Sequence, residues 1–232
     1  MIFKYFPTVL TYMNREEFKK FLKLIQGLAL KGYRSNNSIK FFNQSHVYMI
    51  VDKQPDYLDD ENIRTMVDKG IMADSSALKE PDLKEGEFSE LLLTFDHLSR
   101  YKKRMERQVR FVIGNVDNSV VIGHVDLTDD DIESDTNIEI SGKFSGSDEV
   151  TSFDAGIIND IISFIGFFKY SGTSSGFITF RFKESMPLII DKDRFRIYVA
   201  PMDQSDDMDI LKKIKDSISN CPTNISQLES DE

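Results

Sequence analysis

The chain has 232 residues, with 29 Lys and Arg against 39 Asp and Glu for a formal net charge of −10. A hydrophobic share of 40%, including 18 Phe, suffices for the core of one large domain or two small ones. The single Cys221 excludes an intrachain disulfide or a cysteine-based metal cluster and fits a reducing, intracellular setting, cytoplasmic or nuclear, and no apolar run is long enough to span a bilayer.

The apolar start MIFKYFPTVLTYM lacks a charged leader region and a small-residue cleavage site, so it reads as a first strand. Asn14 is a good helix N-cap with Glu17 three residues later, and Phe18, Phe21, Leu22, Ile25 and Leu28 follow at helical spacing. This pattern predicts an amphipathic helix over 14–30, within a basic stretch, 14–34, that reads as helical throughout and carries a net charge of +4. After the turn signal SNNS, the runs SIKFFNQ and HVYMIVDK read as strands. Residues 55–88 form an acidic connector with a short helix near 62–69.

Strand, helix and strand then recur: SELLLTF, then DHLSRYKKRMER, then QVRFVIGN and SVVIGHVDL joined by a tight turn. The basic stretch around that helix, 95–110, again carries a net +4. An acidic loop, TDDDIESD, leads to the strand-like NIEISGKF. A third helix is expected over 153–168, where Ile157, Ile158, Ile161, Ile162 and Ile165 give a broad apolar face. Three further strands, GFITFRFKE, PLIID and RFRIYVAPM, precede an acidic tail from Gln204 with a short helical run over 210–218 and a disordered end. The unit of strand, helix and several antiparallel strands thus repeats at least three times.

Concentrating positive charge on two helices of an acidic chain points to an anionic partner that meets one face. Arg100, Lys103, Arg104 and Arg107 recur three and four residues apart, as do Lys19, Lys20 and Lys23, which gathers each set on one helix face. With Arg15 and Lys102, these are the candidate DNA-binding residues. The alternative for both stretches is a solvated helix face. Catalysis is not expected: His46, His97 and His124 stand singly, and no phosphate-cradling glycine loop, nucleophile elbow or HExxH pattern occurs. Asp129, Asp130, Asp131, Glu133 and Asp135 lack the glycine and terminal glutamate of a calcium loop, so neither a metal nor a cofactor is called for. Phe41, Phe42, Tyr48 and the aromatics of GFITFRF either pack a core or stack single-stranded bases, which leaves a monomeric single-stranded nucleic-acid binder as one alternative function.

The stretch TSFDAGIINDIISFIGF, then GFITFRFKESMPLII, then DKDRFRIYVAPMD resembles the last unit of a DNA sliding clamp of the proliferating cell nuclear antigen type, through the Met186-Pro187-Leu188 step and the closing Val199-Ala200-Pro201. SELLLTFDHLSRYKKRMERQVRFVIGNVDNSVVIGHVDL is similar to the family's third unit, whose helix carries lysines and arginines on the inner wall of a ring. The likeness covers residues 88–203 well and 1–54 loosely. It implies an α+β fold of repeated β-α-β-β-β units, with helices on one side of curved antiparallel sheets. The implied divisions are a first clamp-like domain at 1–54, extended or degenerate to 85, a connector at 55–88, a second clamp-like domain at 89–203 and a tail at 204–232.

The resemblance also implies a processivity factor that encircles double-stranded DNA without reading sequence. Its expected partners are further copies in a homotrimeric ring, a clamp loader, and DNA polymerase and other clients that insert short hydrophobic motifs. The client site it implies joins Ala200, Pro201 and Met202 to the connector residues Ile71, Met72 and Leu78. The chain departs from the family where Met202 replaces the usual arginine, where the third helix has no basic residue, and where 55–88 is too short for a complete second unit. T-even phage clamps diverge to the same degree, which suits a viral source. A clamp-like scaffold or transcription accessory subunit that barely touches DNA is the other alternative.

Overall fold

A computed structural model describes residues 13–35, 38–43, 46–52, 58–72, 88–94, 109–116, 119–126, 138–141, 149–167, 177–202 and 206–219. Helix α1 (Arg15–Gly27) starts where the capping signal places it. The Asn14 side chain accepts hydrogen bonds from the Glu16 and Glu17 amides at 3.0 Å each, and Glu17 Oε2 accepts from the Asn14 amide at 2.8 Å. These bonds satisfy first-turn donors that have no partner inside the helix. Asn14→Ala is therefore expected to cost about 1 kcal/mol, read as a lower urea midpoint at unchanged slope.

The helix ends sooner than the basic stretch suggests. Ala29 takes φ 51°, a left-handed turn that breaks the helical ladder, and Lys31–Arg34 form strand β1. Lys31 and Arg34 thereby leave the helical charge cluster. Lys31 Nζ donates to the Gly70 carbonyl at 2.6 Å, and Arg34 pairs with Asp60 at 3.6 Å, at the start of helix α2 (Asp60–Asp68).

Three antiparallel meanders carry the sheets. The first is β1, β2 (Ser38–Phe42) and β3 (Val47–Asp52). The second is β5 (Val109–Val116), β6 (Ser119–Asp126) and β7 (Ile138–Ser141), and the third is β9 (Phe177–Phe182), β10 (Leu188–Lys192) and β11 (Phe195–Val199). The last two exchange leading strands: β4 (Ser89–Thr94) pairs with β9, while β8 (Glu149–Asp154) pairs with β5. A seven-stranded sheet results, in the order β1-β2-β3-β11-β10-β9-β4, beside a four-stranded one, β7-β6-β5-β8. The β3–β11 ladder, from Val47 opposite Val199 to Val51 opposite Phe195, joins the two stretches of clamp resemblance into one sheet.

Strand β8 corrects the expected helix start at 153. Val150, Thr151 and Phe153 are buried in the sheet, and helix α3 (Ala155–Phe167) begins only after Asp154, whose Oδ1 accepts from the Ile157 amide at 3.1 Å. Helices α1 and α3 pack side by side through a ring cluster. Phe21 lies 5.3 Å from Phe41, 5.9 Å from Phe164 and 6.1 Å from Phe195 between ring centroids, and Phe164 lies 5.0 Å from Phe195. Each such pair adds about 0.5–1.5 kcal/mol beyond its area burial, which seats both helices on β2 and β11. Phe41, Phe42, Tyr48, Phe180 and Phe182 are all buried, so none of these offers a face on which a base could stack, whereas Phe177 at the start of β9 is exposed.

Side chains alternate across the four-stranded sheet, as strand geometry requires. Phe111, Ile113, Val120 and Ile122 join the core with α3, whereas Val112, Val121 and Val150 meet Ile210, Leu211 and Ile214 of helix α4 (Asp207–Ser219). Residues expected to form an acidic tail with a run at 210–218 thus make a longer helix, docked on the face opposite α3. A glycine permits that approach. A β-carbon on Gly114 would lie 2.4 Å from Leu211 Cδ2 and 2.6 Å from the Glu149 carbonyl oxygen. Gly114→Ala is expected to destabilise the chain by about 1–3 kcal/mol through overpacking, measured as a lower melting temperature.

Candidate nucleic-acid interface

Packing Phe18, Phe21, Leu24 and Ile25 inward leaves Arg15, Lys19, Lys20 and Lys23 exposed on the other side of α1. Lys19 pairs with Glu16 at 2.6 Å, which holds the Glu16 carboxyl below the usual carboxylate range, and Lys20 Nζ lies 5.4 Å from the centre of the Phe167 ring. The space between α1 and α3 is a groove of about 860 Å³. Lys19, Lys20, Lys23, Lys69, Asp160 and Ser163 supply its charged and hydroxyl groups, over apolar walls that include Leu22 and Phe164.

Lys69 was not among the sequence candidates. It follows α2 in a segment whose acidic composition hides it, and only the fold brings it to α1. Asp160 was likewise missed, because on α3 it reads as one polar residue on an apolar helix. Partial desolvation beside α1 raises its carboxyl pKa above the ordinary value although the side chain is exposed, the Lys23 charge opposes that rise, and Asp154 adds to it. Four lysines against one carboxylate make the groove cationic. Mobile ammonium groups on rigid helices can neutralise phosphates without matching base edges. Arg100, Lys102, Lys103, Arg104 and Arg107 lie outside the described residues.

The expected client residues separate into two places. Ala200 N–H donates to the His46 carbonyl at 2.8 Å, and Met202 N–H donates to the Ser152 carbonyl at 2.8 Å, so Ala200–Met202 runs from β3 to β8. All three residues are half-buried. Ile71 is buried in the core, and its carbonyl accepts from Gly32 at 2.9 Å, while Met72 bridges to Gly32. Both therefore cover the β1 edge, three strand spacings or about 14 Å from β11, and do not meet Ala200–Met202. Leu78 lies outside the described residues. Beside Ala200, on the face opposite α1 and α3, Tyr33, Phe42 and Tyr48 form an aromatic cluster with Ile50 and Tyr198 packed against it. Tyr48 and Tyr198 face each other across the β3–β11 ladder at 5.7 Å.

No family model and no curated protein matches the sequence. Solved structures match it at low identity. The A. fulgidus PCNA bound to the C-terminal region of FEN-1 is 14% identical, with a TM-score of 0.54 over 83% of this chain and 98% of that one. DNA polymerase III subunit beta from Borrelia burgdorferi is 12% identical with a TM-score of 0.49; the match covers 83% of this chain, which spans 62% of the Borrelia chain's length. The same subunit from Pseudomonas aeruginosa is 11% identical with a TM-score of 0.49, over 88% of this chain and 70% of that one. The likeness to the A. fulgidus protein concerns the backbone: this chain has the fold of the DNA sliding clamps.

Proposed function

We propose that this chain is a non-catalytic sliding clamp that closes with further copies into a ring around duplex DNA and tethers DNA polymerase and other replication proteins to it. The observation that carries the reading is the lysine-lined groove on paired helices of a clamp fold, in a chain that is otherwise acidic. Arg15, Lys19, Lys20 and Lys23 would face the phosphates, with the basic residues of 100–107 adding a second set. Each contact is weak and exchangeable, so persistence on DNA comes from topology. The acidic remainder keeps the outer surface from binding DNA nonproductively. A closed ring needs a loader to open it on DNA without ends, and a six-domain ring corresponds to a homotrimer.

Clients would attach at Ala200, Pro201 and Met202, next to the Tyr48–Tyr198 cluster, by inserting a short hydrophobic motif. Replacing Pro201 and Met202 together with glutamate is expected to abolish binding of a client-motif peptide, measured by fluorescence anisotropy, while leaving the oligomer and its DNA retention unchanged.

A clamp-like scaffold with little DNA contact is the second reading. It is favoured by α3, which has no basic residue along its length and places Asp160 in the groove. Light scattering with negative-stain imaging tests the main proposal: a closed ring with a central hole wide enough for a duplex is expected, and a monomer at working concentrations would overturn it.

A further inference from the structure

Asp160 stands where a phosphate-binding wall has least use for it. It is exposed on α3, and its Oδ2 lies 4.0 Å from where a side chain on Gly27 would begin, so the carboxylate reaches the last turn of α1. Lys19, Lys20, Lys23 and Lys69 line the same groove, and Lys23 is the cation whose charge acts on it most directly. No Lys or Arg on α3 offsets it. A phosphate entering the groove must therefore share these lysines with a resident anion of the same charge.

We propose that Asp160 is an internal competitor for the groove lysines, which sets how weakly this wall holds a nucleic-acid backbone and so keeps its contacts exchangeable. The proposal rests on the DNA-facing reading of α1. With the carboxylate in place, each phosphate must displace part of the field it already occupies around Lys23. The wall is also one-sided, because a strand in the groove is drawn to α1 and repelled from α3. Removing the charge should tighten and stiffen the contact, since no carboxylate lining the groove then competes with the phosphates for Lys23.

The test compares affinity for a short random-sequence duplex across a salt series for the wild type, Asp160→Asn, Asp160→Glu and a variant with Lys19, Lys20 and Lys23 changed to alanine. Asp160→Asn is expected to bind several-fold tighter, with a salt slope steeper by up to about 0.9 unit, one phosphate's worth. Asp160→Glu keeps the charge and should follow the wild type, and all four proteins should melt at similar temperatures because the altered side chains are exposed. A purely structural Asp160 would change the melting temperature and leave the slope alone. If the lysine variant binds weakly but Asp160→Asn binds like the wild type, the competitor role is wrong and the DNA reading stands. If the lysine variant binds like the wild type, the DNA reading of α1 fails, and the competitor role with it.

Discussion

Changing Lys19, Lys20 and Lys23 together to alanine is expected to weaken duplex binding steeply at low salt and to flatten its salt dependence by up to about 2.7 units, roughly 0.9 for each phosphate no longer neutralised. The fold should not notice. All three side chains are exposed, on the side of α1 away from Phe18, Phe21 and Ile25, and the partner of Lys19, Glu16, is exposed as well. Anisotropy titrations at several salt concentrations, with circular dichroism on the same samples, separate the two effects. An unchanged slope would favour the scaffold reading.

The largest expected loss of stability comes from Arg110→Ala. Arg110 sits on β5 with 3% of its side chain exposed, and its Nη1 donates to Asp207 Oδ1 at 2.8 Å and to Asp206 Oδ1 at 3.0 Å. Together with Nη2 donating to Asp206 Oδ2 at 3.3 Å, these hydrogen bonds fix the start of α4 to the four-stranded sheet. Removing the guanidinium leaves the buried Asp207 without its cation, which costs on the order of 3–5 kcal/mol. Fraying of α4 should follow, read by faster hydrogen exchange across 207–219 and a lower urea midpoint.

The two aspartates respond oppositely to pH. The Arg110 hydrogen bond holds the Asp206 carboxyl below its ordinary value, so its stabilising contribution is present above about pH 4 and is lost as the pH falls through the lowered pKa. Burial pushes the Asp207 carboxyl up, against the hydrogen bond from Ser152 and the Arg110 charge, so its contribution is greatest when protonated and is lost as the pH rises through the raised pKa. Asp206→Asn is therefore expected to flatten the acid limb of the stability profile, and Asp207→Asn to flatten the part above it.

Local signals in the sequence carried much of this fold. The Asn14–Glu17 box, the isoleucine face of 157–165 and the alternating strands of 177–199 act between residues a few positions apart, so periodicity and capping expose them. What the sequence concealed is set by long-range partners. β1 follows a turn with no glycine at Ala29, and its Gly32 is shaped by Phe41, over which an added β-carbon would lie at 2.5 Å. β8 abuts α3 without a break, and only its pairing with β5 distinguishes strand from helix. α4 looks like tail by composition, because its stability comes from Val112, Val121 and Val150 far away in sequence. The site divides the same way. The lysines of α1 lie on one periodic face, whereas Lys69 and Asp160 join them only through the packing of α1, α3 and the end of α2.

Threading separates a clamp from every monomeric binder. The direct measurement mixes the protein with linear duplex, blocks both ends with bulky protein caps, raises the salt until electrostatic contacts are screened, and then cuts the DNA between the caps. Retention that requires both caps and disappears on cutting is the expected result. Equal retention with open and blocked ends, or none under either condition, would contradict the ring.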